Sequence, residues 1–147
     1  MLSQETVLPE NAAEMANQTS KGTYLGKLGI EIVEWTHERV VATMPVEGNT
    51  QPDGFLHGGA TMSLAESIAS MGAAGVAGWP EKIVMGLQQT CNFLSTATSG
   101  SVRGVATPVN IGRTTHLWDV DITSVDTGKR IASARVTIAV REPRAKT

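Results

Sequence analysis

The chain has one cysteine, Cys91, in 147 residues. An intrachain disulfide is impossible, which favours a reducing compartment. Basic charge is not in excess. Twelve Lys and Arg stand against 14 Asp and Glu, for a formal net charge of −2, so no electrostatic case exists for a nucleic-acid partner. A long apolar run is also missing. Residues 60–78 come nearest, but they hold Glu66, three glycines and three serines, and a membrane span needs about 18 apolar residues in a row. The first fourteen residues carry Glu5, Glu10 and Glu14 and no basic cluster, which argues against a secretion signal. These absences lead to the expectation of a cytoplasmic protein without nucleic-acid or membrane partners. No metal or cofactor is expected, because the histidines and the cysteine lack ligand spacing. No serine sits in a G-x-S-x-G context, so a Ser–His–Asp triad is not indicated.

What is present fits one ordinary domain. Hydrophobic residues make up 41% and charged residues 18%, which is globular rather than disordered composition. Residues 1–23 read as a polar N-terminal segment with a short helix from Ala12 to Gln18. Residues 24–141 read as one domain, and residues 142–147 as a flexible tail. Within the domain, 30–34 and 40–46 alternate with a period of two and form a strand pair. Residues 48–54 are loop chemistry. A helix candidate follows His57 and is expected to end in Gly72, Gly75 and Gly78, with Trp79-Pro80 as a stop. Period two then returns. Met85, Leu87, Gln89, Cys91 and Phe93 are expected to share one face. Val102, Val105 and Val109 lie near Pro108, a bend or edge signal. His116, Trp118, Val120 and Ile122 alternate, as do Ala132, Ala134, Val136, Ile138 and Val140. Strands segregated from one long helix, with connections too short for crossovers, predict an α+β fold with a largely antiparallel sheet. The sheet would wrap the helix.

That helix holds the best functional clue. Glu66 is the only charged residue between His57 and Glu81. The surrounding helix is apolar almost all the way round, and such a helix is usually buried. A buried carboxylate is costly unless it is paired, protonated or used. Ser63 and Ser70 fall near its face at helical spacing. Gly58 and Gly59 at the helix start let a ligand approach the backbone, and free N–H groups there suit a developing negative charge.

The run Gln51-Pro52-Asp53-Gly54-Phe55-Leu56-His57-Gly58-Gly59-Ala60, followed by Ala65-Glu66-Ser67, resembles the hotdog-fold acyl-CoA thioesterases. The likeness is to the branch with the phenylacetate-pathway, Arthrobacter-type 4-hydroxybenzoyl-CoA and enterobactin proofreading enzymes, and it covers roughly residues 24–141. The resemblance implies a long central helix wrapped by five to six strands and hydrolysis of an acyl-CoA, with coenzyme A as part of the substrate. It implies that Glu66 acts as nucleophile or general base, that Gly58 N–H polarises the carbonyl, that Gln51 and His57 orient it, and that Ser70 helps to position water. It also implies a site shared across a homodimer, with dimers pairing into a homotetramer. Arg113, with Gly112 and Thr114, is the first candidate for holding the coenzyme phosphates; Arg103, Arg141 and Arg144 are weaker ones. The pantetheine arm would pass near Asn92 and Phe93. Aryl-acyl esters are the preferred substrates, because the motif belongs to a branch rich in aryl-CoA enzymes.

Blander roles stand beside these. Glu66 could be a paired structural acid, His57 a helix cap, and Gly58-Gly59 a packing device. Gln51 could be an ordinary loop residue and Arg113 a surface charge. His116 reads as a satisfied core or interface histidine, and Cys91 as inert core. A hydro-lyase on acyl-carrier substrates and a non-catalytic acyl-CoA-binding module are the competing functions.

Overall fold

Alternating apolar residues build six strands, and one long run of small and branched apolar residues builds the helix they surround. The structure is a computed structural model and describes residues 7–144. In chain order the elements are α1 (Ala12–Ser20), α2 (Tyr24–Leu28), β1 (Glu31–Trp35), β2 (Val40–Pro45), α3 (Gly58–Ala77), β3 (Ile83–Phe93), β4 (Ser101–Ile111), β5 (Thr115–Ser124) and β6 (Arg130–Arg141). The strands form one sheet in the order β1-β2-β4-β5-β6-β3, and every neighbouring pair is antiparallel. The expected α+β class and largely antiparallel sheet hold. Among the described residues no helix is long and apolar enough to cross a membrane.

One core joins α3 to the sheet. Leu64, Ile68 and Ala69 meet Val102, Val120, Ile122, Val136 and Ile138 in it, all with negligible exposure. Trp118 on β5 is its largest fully buried side chain. The helix comes so close that a Cβ on Gly72 would stand 2.6 Å from the Trp118 ring. A Cβ on Gly75 would stand 2.8 Å from Trp35 Nε1. This corrects the expected helix end: Gly72 and Gly75 are interior positions kept small for two tryptophans. Only Gly78 ends the helix, with φ 95 and its N–H donating to the Ala74 carbonyl.

One element was not anticipated, and one further expectation changes. Residues 24–29 contain a second short helix, α2, closed by Gly29 in the left-handed region. On β3 the register slips between Gly86 and Gln88, so Leu87 is an inserted bulge residue. One extra residue exchanges the faces of everything beyond it. Gln89, Cys91 and Phe93 pair with the core-facing Val136, Ala134 and Ala132, whereas Met85 pairs with Ala139. The five residues therefore do not share a face. Residues 1–6 and 145–147, within the expected N-terminal segment and tail, lie outside the described residues.

His116 is buried at 3% exposure, as expected of a core histidine, but against expectation it is not fully satisfied. Its Nδ1 has no partner among the described residues. Burial pushes its imidazole below the ordinary 6.5, partly opposed by the Gly112 backbone. The folded chain thus resists protonation more than the unfolded chain does. Its contribution to stability is complete above 6.5 and is lost as pH falls toward the lower folded value. The thermal midpoint should fall between pH about 7.5 and about 5.5. His116→Gln should flatten that slope, and an unchanged slope in the variant would refute the assignment. At the helix contact, Gly72→Ala should cost about 1–3 kcal/mol in urea unfolding through overpacking, because the indole ring cannot retreat from a closed core.

Candidate active site

The loop before α3 is organised by a residue that the sequence pattern does not single out. Asn49, 8% exposed, donates from Nδ2 to the Leu28 carbonyl at 2.7 Å and the Pro45 carbonyl at 2.9 Å. Its own carbonyl accepts from His57 N–H at 2.8 Å. This ties the helix start to α2 and β2. Within the loop, Gln51 N–H donates to the Phe55 carbonyl at 2.8 Å, and the turn closes through Gly54 at φ 86. Gln51 Oε1 accepts from Asp53 N–H, so its side-chain NH2 is the end left to donate outward.

His57 caps α3. Its Nδ1 accepts from Gly59 N–H at 2.7 Å, which satisfies one of the orphan donors of the first turn. An imidazole that accepts at Nδ1 carries its proton at Nε2 when neutral. The cap therefore leaves the Nε2 donor of the exposed His57 ring free of the helix, and capping does not exclude the expected orienting role. A Cβ on Gly59 would lie 2.9 Å from that Nδ1, so the cap requires glycine or a shifted ring. Gly58 N–H has no acceptor among the described residues. The Phe93 ring lies over it, 3.1 Å from where a Gly58 Cβ would be. A backbone donor at a helix start, flanked by an aromatic ring, is a place where negative charge can develop on an oxygen.

Glu66 lies further along the same helix. It is partly exposed, not sealed away. The expectation of a helix buried all round is corrected here: α3 turns Leu64, Ala65, Ile68 and Ala69 to the sheet, while Gly59, Ser63, Glu66 and Ser70 share the face left open. Ser70 Oγ donates to Glu66 Oε1 at 3.2 Å. The carboxylate also rests on β3, where Glu66 Oε1 lies 2.6 Å from the position of a Gly86 Cβ. Gly86 escaped the sequence reading. Its signal was a lone glycine in a strand, which marks a bulge or a close approach; here it marks both.

Of the remaining candidates, Gly112, Arg113 and Thr114 form the tip joining β4 to β5. Gly112 N–H donates to the Thr115 carbonyl at 3.0 Å, and Thr114 accepts from Arg141 Nη1 at 3.2 Å. This tip starts from the row Ile111, His116, Ile138, Gly86. Three strand spacings, roughly 14 Å, thus separate Ile111 from Gly86. Asn92 borders a cleft with Asp119, Asp121 and Arg130 on the sheet face away from α3, whereas Phe93 faces α3. One groove within the chain does not hold both, contrary to expectation, because consecutive strand residues point to opposite faces. Two sets are brought together: Gln51, His57 and Gly58 in one, Glu66 and Ser70 in the other. Eight residues at 1.5 Å each put roughly 12 Å between Gly58 and Glu66 along the axis.

Residues 53–131 match the Thioesterase superfamily. The chain belongs to that family. This thioesterase is 45% identical over 121 residues to the esterase candidate ComA2 of Bacillus subtilis (strain 168), covering 82% of its own length and 95% of the relative. It is 37% identical over 132 residues to the 1,4-dihydroxy-2-naphthoyl-CoA hydrolase of Escherichia coli (strain K12), covering 86% and 93%. Its backbone superposes on a mutant of thioesterase PA1618 from Pseudomonas aeruginosa with a TM-score of 0.87 at 34% identity, covering 94% and 99%. The thioesterase has the hotdog fold and is a thioester hydrolase.

The seat of Glu66 gives a direct test. Gly86→Ala should leave the fold intact, since the group it meets is the end of a flexible side chain. The carboxylate must then move by about an ångström, and kcat should fall roughly tenfold to a hundredfold. Steady-state kinetics with a thermal melt would check this, and wild-type kcat in a well-folded variant would contradict it.

Proposed function

We propose that the protein hydrolyses an acyl-CoA, with aryl-acyl esters preferred, to the free acid and coenzyme A, and that Glu66 is its catalytic carboxylate. The observation that carries this reading is the place of Glu66: on the open face of α3, bonded to Ser70 and resting on a strand without a side chain at that point. A structural acid would have a cationic partner there, and the described residues give it none. Thioesters are activated acyl groups, so a carboxylate and an oxyanion donor suffice. Either the carboxylate attacks the carbonyl carbon, the C–S bond breaks, coenzyme A leaves as thiolate and water cleaves the anhydride; or the carboxylate takes a proton from water, which attacks instead. Similarity to a hydrolase of a naphthoyl-CoA supports an aromatic acyl group.

The roughly 12 Å between Gly58 and Glu66 is too long for both to act on one carbonyl within a chain. We therefore place each active centre between two copies, with Glu66 of one opposite Gln51, His57 and Gly58 of the other. The edge of β3 supports this. It is the last strand of the sheet, and Met85, Leu87 and Phe93 on it are 53%, 59% and 55% exposed. A long apolar edge is an association site unless something covers it. Pairing of dimers into a tetramer, and phosphate contacts from Arg113 at the β4–β5 tip, complete the reading.

Glu66→Ala should lose more than about a hundredfold in kcat, the usual loss for a general base, measured by thiol release from benzoyl-CoA. Mixing subunits tests the shared centre. Co-refolded Glu66→Ala and Gln51→Ala chains, each impaired alone, should recover about a quarter of wild-type activity, because half of the random dimers are mixed and each mixed dimer holds one intact centre. No recovery would mean that each chain works alone.

A further inference from the structure

Beside Glu66 lies a cavity of about 480 Å³. Its wall on α3 includes Ser67, Ser70, Met71 and Ala74. Ser70 is thus shared: it faces the cavity and donates to Glu66 Oε1 at 3.2 Å. Any carbonyl held for attack at this carboxylate has the cavity next to it. The opposite wall is α1, through Met15, Ala16 and Thr19, and Trp79 bounds it with Trp35. The two indoles stand 6.3 Å apart at 49°. α1 and Trp35 lie outside residues 53–131, the stretch that carries the family match.

The wall is apolar, and its hydroxyls have already spent their protons. Thr19 Oγ1 donates to the Met15 carbonyl at 3.1 Å, Ser20 Oγ to the Ala16 carbonyl at 2.8 Å and Ser67 Oγ to the Ser63 carbonyl at 2.6 Å. The ammonium of Lys82 is paired with Glu142. The hydroxyls can therefore accept from a guest but not donate to it. A guest with a terminal carboxylate would find no hydroxyl donor and would have to compete with Glu142 for the Lys82 ammonium, which makes its desolvation costly. An apolar guest, or one with a ring hydroxyl that donates, is satisfied. Size points the same way. The space equals roughly sixteen waters at about 30 Å³ each, so an acetyl group would leave it mostly empty.

We propose that this cavity receives the acyl group of the substrate, that α1 is its outer wall, and that Met15 and Trp79 set the size of group accepted. The acyl class is bulky, uncharged and largely apolar: an aryl or medium-chain group rather than a short or dicarboxylic one. The proposal rests on the catalytic reading of Glu66.

The test compares kcat/KM for acetyl-, succinyl-, benzoyl-, 2-naphthoyl- and decanoyl-CoA by thiol release. The wild-type enzyme should prefer the bulky neutral esters over acetyl- and succinyl-CoA by about tenfold or more, the range that apolar pocket contacts supply. Met15→Trp narrows the cavity from α1. It should lower the bulky-to-acetyl ratio about tenfold, and Trp79→Ala should raise the decanoyl-to-benzoyl ratio. Met15 and Trp79 are 38% and 45% exposed, so these changes do not open the core. Met15→Phe is the milder substitute if Met15→Trp lowers the thermal midpoint. Should the wild-type protein hydrolyse none of the five esters, the catalytic reading fails. Hydrolysis with acyl ratios unmoved by folded Met15 and Trp79 variants would overturn the cavity assignment alone, as would a preference for acetyl- or succinyl-CoA.

Discussion

The contact between α3 and its sheet is the constraint from which the rest follows. The helix lies against β5 at Gly72, where the Trp118 ring leaves no room for a side chain, and against β3 at Gly86, where the carboxylate of Glu66 occupies the space of a missing Cβ. Interiors are packed at the density of organic crystals, so a shift of a single carbon is felt along the whole contact. Depth and rotation of the helix are thereby set. Its apolar side is committed to the core, and its serine-bearing side with Glu66 is left facing out. A carboxylate placed on this face avoids the full cost of burial in hydrocarbon, yet remains beside an apolar cavity.

The same placement divides the chemistry. Donors sit at the N-terminal end of α3, where the helix leaves N–H groups unpaired and positive in sign. The carboxylate of Glu66 sits two turns on. A helix is a rigid spacer, so no local motion brings the two ends together on one carbonyl. The proposed association through the open edge of β3 would meet this geometric need and also cover its exposed apolar side chains. Catalysis and assembly would then be two results of one arrangement. The outer sheet face has a different character: Arg130 pairs with Asp121 and Arg135 with Asp119, all half exposed, and exposed pairs of this kind contribute little to stability.

Much of this was legible in the chain. Period-two patterning marked the strands after Pro80, and the lone acid in an apolar helix marked Glu66. Gln51, His57 and Gly58 were legible through the motif around them. What escaped has a common cause. The bulge at Leu87 alters strand facing without leaving a break in the alternating pattern. Gly72 and Gly75 look like helix terminators, because glycine is poor in helices, until the tryptophans that need the space are known. Asn49 looks like any loop residue, because its partners Leu28 and Pro45 are distant in sequence or hidden in backbone.

The amino-acid sequence by itself determined which residues have apolar faces, where the chain turns, and that one carboxylate would be set among small residues. These are properties of neighbours within a few positions, and local spacing encodes them. Tertiary structure alone decided that Glu66 faces outward, that Gly86 is its seat, that Asn92 and Phe93 part to opposite sides of the sheet, and that α1 walls a cavity beside the carboxylate. Each of these depends on how closely two elements far apart in the chain approach, and close packing across the sheet sets that distance.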